Sequence, residues 1–217
     1  MFCNKNKINL YDFDGLREVV RSLVKPKRYN HTLGVEQEAV KIAEIFECNG
    51  EFIKKVRAAA ILHDITKEFG LEKQLEVCEE YNIELSGDDK IAFKPIHAKT
   101  GAHIAKIEFG ADYLIFDAVY NHTVSRPEKS FDLFNRIIAL ADWTEPNRSD
   151  KDCAEVREYF YSRLNDAQNI TEKNSVLDKA MLFSYNKTIS MILEDGLFIH
   201  KDTVECRNAL ILKEITV

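Results

Sequence analysis

Apolar residues return at helical spacing in almost every segment of this chain. Val35, Ala39, Ile42, Ala43 and Phe46 fall at i, i+4, i+7, i+8 and i+11, the stripe of an amphipathic helix. Phe52, Val56, Ala59, Ala60 and His63 repeat it, and Leu71, Leu75, Cys78 and Tyr81 mark a third stripe. Pro95 suits a helix start, after which His97, Gly101, Ile104 and Ala105 share a face. Ile115, Ala118, Val119 and His122 form another face, and Phe131 to Asp142 reads as a further apolar helix. It stops before Glu145-Pro146, because proline disfavours helical geometry in the residue before it. Leu177, Met181, Ser184, Thr188 and Met191 trace a long helix that Gly196 can end, and a last short one starts near Asp202–Thr203. Only four prolines and eight glycines occur in 217 residues, too few turn formers for a long strand-and-turn architecture. The expectation is an all-α helical bundle of about eight to ten helices, a single domain over 1–217. Its core would span about 20–150, with a C-terminal helical extension, about 151–217, packed on it. Asn147–Asp152, polar and charged, is the softest connection.

Charge and cysteine usage narrow the partners. A formal net charge of −6 argues against a nucleic-acid surface, which needs a clustered basic face. A small anionic substrate stays open, because a bound metal supplies local positive charge whatever the net charge. Cys3, Cys48, Cys78, Cys153 and Cys206 are scattered with no C-x-x-C spacing, the pattern of reduced thiols in a cytoplasmic protein. Met1–Leu10 is polar and lacks a signal-peptide apolar stretch, and no run approaches bilayer length. The expected partner is a small molecule, with no nucleic acid and no membrane; a homodimer is left open.

Four of the six histidines, His31, His63, His97 and His122, stand at or near the apolar stripes of different segments. Asp64 follows one of them directly and Asp142 ends an apolar helix. Any one such histidine is an ordinary hydrogen-bonded core residue on its own. The set is different, since burying that many ionisable groups costs roughly several kcal/mol unless they are partnered. Adjacent residues on a helix diverge by about 100°, so His63 and Asp64 are expected to grip an ion from two sides of a groove between helices. His103, about 120° around the helix from His97, and His200, beyond the Gly196 break, are read as non-ligands. Trp143 reads as packing.

These stretches resemble the HD superfamily of metal-dependent phosphohydrolases. Arg28-Tyr29-Asn30-His31 and Leu62-His63-Asp64-Ile65-Thr66-Lys67-Glu68 look like its opening motifs. Ile96-His97-Ala98-Lys99-Thr100-Gly101-Ala102 and Asn121-His122-Thr123-Val124-Ser125-Arg126-Pro127 are similar to motifs of its YqeK branch. So are Leu140-Ala141-Asp142-Trp143-Thr144-Glu145-Pro146-Asn147-Arg148 and Ile199-His200-Lys201-Asp202-Thr203 with Arg207-Asn208. The resemblance implies an HD-domain helical bundle that cleaves diadenosine tetraphosphate symmetrically to two ADP, with a metal-activated hydroxide as nucleophile. The branch carries glycine where this chain has Ser125, so the loop after His122 is expected to take a different backbone.

By the same resemblance, His31, His63, Asp64 and Asp142 hold a first metal, and Asp64 bridges to a second held also by His97 and His122. Iron is the implied metal, as one or two ions; nitrogen and oxygen donors equally suit manganese or zinc. Asp64 and Lys67 are the catalytic candidates. Lys67 lies one helical turn after His63, placed to neutralise charge on a phosphoryl group. Arg28, Arg126 and Arg148 stand near metal motifs, and a guanidinium suits bidentate phosphate binding. His97 and His122 are also placed against the nucleotide. Tyr185, Asn186 and Thr188 are weaker candidates for its pocket, a plain helical face being the other reading. Two alternatives share this centre: another HD nucleotide phosphohydrolase, such as a nucleotide phosphatase or deoxynucleotide triphosphohydrolase, and a nucleotide-sensing module with negligible turnover.

Overall fold

Short polar side chains open most helices in the structure, a computed structural model that describes residues 8–216. Asp12 caps α1 (Phe13–Leu23), Asn49 caps α3 (Gly50–Leu62), Asp112 caps α7 (Tyr113–Asn121), Asp150 caps α9 (Lys151–Leu164) and Asn169 caps α10 (Ile170–Glu194). In each, the side-chain oxygen accepts an otherwise unpaired N–H of the first turn. Ser86 and Asp89 form a reciprocal capping box on the five-residue α5 (Gly87–Ile91). Pro26 occupies the first turn of α2 (Pro26–Ile45). Gly110, at φ 73°, ends α6 (Ile96–Phe109) in the left-handed conformation that glycine adopts most easily. The remaining helices are α4 (Leu71–Glu80), α8 (Leu133–Thr144) and α11 (Lys201–Thr216).

Eleven α-helices and no strand are present among the described residues, an all-α fold. The count exceeds the expected eight to ten because α1, α5 and α9 fell outside the stripes read from the sequence. No helix is long and apolar enough to cross a membrane. The central element is α3, whose Ala58, Ala59, Ala60, Ile61 and Leu62 are fully buried. Its small residues let α1, α2, α6, α7 and α8 pack against it. The α2 stripe from Val35 to Phe46 is buried as its spacing requires. Beyond α8, α10 packs on α8, α9 and α11, and a buried Arg136–Asp178 ion pair (2.5 Å) ties α8 to α10.

Three sequence expectations need correction. Leu71 and Leu75 are exposed; of that stripe Cys78 is buried, and α4 turns Gln74 and Val77 inward beside it. Gln74 earns its buried place by donating to the Thr66 carbonyl and accepting from the Thr100 hydroxyl. The apolar helix starts at Leu133 rather than Phe131, after a short 3₁₀ turn at Pro127–Lys129. The connection around Asn147–Asp152 is not soft. Arg157 donates to the carbonyls of Thr144 (2.6 Å), Glu145 and Arg148 (2.9 Å) and pins it.

Candidate metal centre

Helix ends put the histidines in place. His63 and His122 are the C-terminal caps of α3 and α7, where the last carbonyls lack intrahelical partners. His63 Nδ1 donates to the Ala60 carbonyl (2.6 Å) and His122 Nδ1 to that of Val119 (2.7 Å). His97, in the first turn of α6, donates from Nδ1 to the Lys94 carbonyl (2.6 Å). His31, inside α2, donates from Nδ1 to the Glu145 carboxylate (3.1 Å). Carbonyls and carboxylates only accept, so each ring carries its proton on Nδ1 and presents the Nε2 lone pair inward.

Those four Nε2 atoms converge on two aspartates. His31 Nε2 lies 2.9 Å from Asp142 Oδ1 and 3.7 Å from Asp64 Oδ2, and His63 Nε2 is 3.5 Å from Asp64 Oδ2. On the other carboxylate oxygen, Asp64 Oδ1 is 3.2 Å from His97 Nε2 and 3.4 Å from His122 Nε2. Two sets, His31–His63–Asp142 and His63–Asp64–His122, each bring their ligand atoms within 4.8 Å of one another. His31 Nε2, His63 Nε2 and Asp64 Oδ1 are buried and have no hydrogen-bond partner. Buried acceptors left facing a common space are costly unless a cation completes them, so these residues fit a divalent metal.

The chain leaves the helix between His63 and Lys67. The helix stops at Leu62, and residues 63–68 continue in tight turns, with Ile65 N–H on the Leu62 carbonyl and Lys67 N–H on that of Asp64. His63 keeps helical dihedrals as the cap of α3, and its Nε2 and the Asp64 carboxylate meet at one centre from neighbouring positions, 3.5 Å apart. Lys67 arrives by these turns rather than by a helical repeat. Its Nζ donates to His97 Nε2 (3.0 Å) and lies 3.9 Å from Asp64 Oδ1.

The electrostatics are uneven. Burial opposes the charge of Asp64, but His63 and Lys67 outweigh it and hold the carboxyl well below its usual range. Asp142 is likewise lowered against its own burial, by Arg148 and His31. Burial and Lys67 push His97 down to about 4. Burial also disfavours charge on His31, yet its contacts with Asp142 and Glu145 prevail and raise its pKa.

Arg28 donates to Asp64 Oδ2 (2.8 Å) and Arg148 to Asp142 Oδ1 (2.7 Å), so both cations stand at the centre. They line, with His31, Lys25, Lys27 and Asn147, an open cavity of about 790 Å³. Arg126 is not brought there; it pairs with buried Asp117, bonds Asn121 and lies over the Tyr120 ring. Tyr185, Asn186 and Thr188 are absent from the lining of that cavity. Asn186 accepts from Arg207, and Thr188 bonds the Ser184 carbonyl within its own helix. His103 bonds the Lys99 carbonyl, and His200 accepts the Asp202 N–H and faces Asp88 and Asp89, so neither joins the centre's candidate ligand sets. Ser125 has no positive φ, so the loop after His122 needs no glycine geometry, and its carbonyl accepts from the Cys206 thiol.

Sequence reasoning gave no role to Glu145 or to the Thr66–Thr100–Gln74 network. Thr66 Oγ1 donates to the His97 carbonyl (2.8 Å) and meets the Thr100 hydroxyl (2.9 Å), fastening the turn after Asp64 to α6. Spacing gives no sign of that network. For Glu145 a sign existed: a carboxylate before proline, directly after an apolar helix.

Comparison with known proteins places these features. Residues 28–147 match the HD domain family. A protein of Halalkalibacterium halodurans named "Bis(5'-nucleosyl)-tetraphosphatase, symmetrical" is 31% identical, over 88% of this chain and 95% of its own. Proteins of the same name from Bacillus subtilis and Staphylococcus aureus are 34% and 25% identical, over 73% and 88% of this chain and 82% and 91% of their own. The crystal structure of a predicted HD superfamily hydrolase involved in NAD metabolism, from Clostridium acetobutylicum, superposes with TM-score 0.80. It is 31% identical, and the match covers 93% of this chain and 98% of that one.

Proposed function

The chain belongs to the HD domain family and, within it, to the symmetrical bis(5'-nucleosyl)-tetraphosphatases, and on that premise we propose how its own residues serve the reaction. It is a metal-dependent phosphohydrolase that cleaves diadenosine tetraphosphate at the middle of its phosphate chain to give two ADP. The observation that carries the assignment of roles is the convergence of four Nε2 lone pairs on Asp64 and Asp142, with buried acceptors left unpaired.

His31, His63, Asp64 and Asp142 would hold one divalent cation, and Asp64, His97 and His122 would supply the donors for a second. Iron is the metal we assign from the family resemblance; the nitrogen and oxygen donor set equally suits manganese or zinc. When bound, a divalent cation polarises the phosphoryl group and makes water a competent nucleophile near neutral pH. The protein contributes position and charge. Asp64 and Asp142 are held ionised and so serve as acceptors throughout the working pH range. Lys67, a third exposed beside His97 and Asp64, offsets negative charge that builds on the phosphoryl oxygens in the transition state. Arg28 and Arg148 are pre-aimed by their carboxylate partners and meet the phosphates on the cavity side. The leaving group is a nucleoside diphosphate whose terminal oxygen is a weak base, so cations suffice where an alkoxide would need a proton donor. Buried, unpaired cysteines such as Cys78 and Cys153 fit a reducing cytoplasm.

Chromatography of the products tests the reading. ADP as essentially the sole nucleotide from diadenosine tetraphosphate is expected. AMP and ATP in equal amounts would place the attack near one end of the chain and refute it.

A further inference from the structure

The four rings are not backed alike. His63, His97 and His122 each donate from Nδ1 to a main-chain carbonyl three residues earlier, whereas His31 alone donates to a carboxylate. That carboxylate, Glu145, is 1% exposed and lies 114 residues away in sequence. Pro146 forces Glu145 into extended geometry (φ −59°, ψ 141°) at the end of α8, where its side chain meets α2. Its other oxygen, Oε2, accepts the Asn147 N–H (2.7 Å), and Asn147 Nδ2 donates to the Asn30 carbonyl (3.1 Å). The carboxylate is thus tied to the backbone next to the ring it supports.

Gly34, one turn of α2 after His31, keeps the space open. A Cβ there would stand 2.0 Å from Glu145 Oε2 and 2.8 Å from Asn147 Nδ2, so any other residue would displace the carboxylate.

Resting on the reading that these rings bind a divalent cation, we propose that Glu145 is a positioning residue for the reaction. It aims His31 Nε2 at Asp142 and Asp64 and raises the cation affinity of the His31–His63–Asp142 set. A carboxylate behind an imidazole makes it a more basic donor than a neutral carbonyl does, and fixes its tautomer and orientation. Glu145 touches no reacting atom and acts only through His31.

The test uses the full-length protein, stripped of metal and titrated with Mn²⁺, with free Mn²⁺ read from its electron paramagnetic resonance signal. Glu145→Ala and Gly34→Ala are expected to weaken Mn²⁺ binding by about 10–100-fold, the usual scale for losing such a partner. Glu145→Gln keeps an acceptor for His31 but not the charge, and should fall between them and the wild type. Imidazole ¹⁵N spectra of the metal-free protein at mildly alkaline pH supply a second readout. In Glu145→Ala the His31 signals alone should shift toward a mixed tautomer and return in Glu145→Gln, while the other three rings keep theirs. Unchanged Mn²⁺ affinity in folded Glu145→Ala, or an unaltered His31 tautomer, overturns the proposal. If the alanine variant does not fold, wild-type affinity in Glu145→Gln overturns it equally. No nucleotide enters this assay, so a wild type that binds Mn²⁺ yet yields AMP and ATP overturns the cleavage reading alone.

Discussion

The centre has two ends that share Asp64 and differ in almost everything else. At the His31 end, two carboxylates, Asp142 and Glu145, stand against the ring, which is pulled toward the charged form. At the His97 end, the nearest charged group besides Asp64 is a lysine, and the ring is driven toward neutrality. Both rings are buried, so burial does not separate them. The sign of the neighbouring charge does. In the proposed function the His31 end faces its cation with two carboxylates, and the His97 end adds a positive group for an incoming anion.

The largest expected effect comes from the residue that belongs to both ends. Asp64→Ala should remove most bound metal and all measurable hydrolysis, with helical content by circular dichroism nearly unchanged; full metal stoichiometry in that variant would dissolve the idea of a shared bridge. Next comes the anion-facing end. Lys67→Ala should lower kcat by about 10²-fold or more, a typical loss for one transition-state electrostatic group, with metal content unaltered. An intact kcat would make Lys67 a plain partner of His97.

A smaller contrast separates the arginines. Arg28→Ala should raise KM for the dinucleotide roughly tenfold, the scale of one charge-assisted phosphate contact. Arg126→Ala should leave KM nearly alone and lower stability by about 1 kcal/mol, because it removes one cation from buried Asp117, which keeps Asn135 and Lys129. Equal KM changes in steady-state kinetics would place Arg126 on the substrate after all.

The smallest effect is on the acid side of metal-depleted protein. The folded state holds His97 at about 4, below its ordinary value near 6.5, so it favours the neutral ring. That contribution is complete above about pH 6.5 and is lost as pH falls toward 4. His31 is raised, so its contribution is present at low pH and is lost as pH rises through its folded pKa. Thermal melts across this window should therefore show a shallower acid decline in His97→Gln and a steeper one in His31→Gln. Identical slopes would mean the two ends are electrostatically alike.

Much of this was legible before any coordinates. The α2 and α3 stripes told which faces are buried, and six ionisable residues near such faces marked the centre. Periodicity fails where a helix stops. It placed Lys67 one turn after His63, yet the chain leaves the helix at Leu62 and brings Lys67 and Asp64 round by turns. It also placed Leu71 and Leu75 inward, because an apolar stripe outweighs one glutamine on paper; in the fold Gln74 satisfies backbone and hydroxyl groups that no leucine could. Glu145 carried a local sign, a carboxylate before proline, but its partner lies 114 residues earlier and no local pattern couples the two.

The three carbonyl clamps bear on how such a centre withstands change. Ala60, Lys94 and Val119 give their histidines only a main-chain oxygen, an atom that every amino acid carries. Their side chains are free to drift as far as packing allows, and the aim of three rings would be inherited unaltered. His31 has no such insurance: its support is a single side chain, reached across two helices and past a glycine. Substitutions along most of the wall around the metals leave the rings' aim in place, whereas a side chain at Gly34 or a change at Glu145 would disturb the His31 contact.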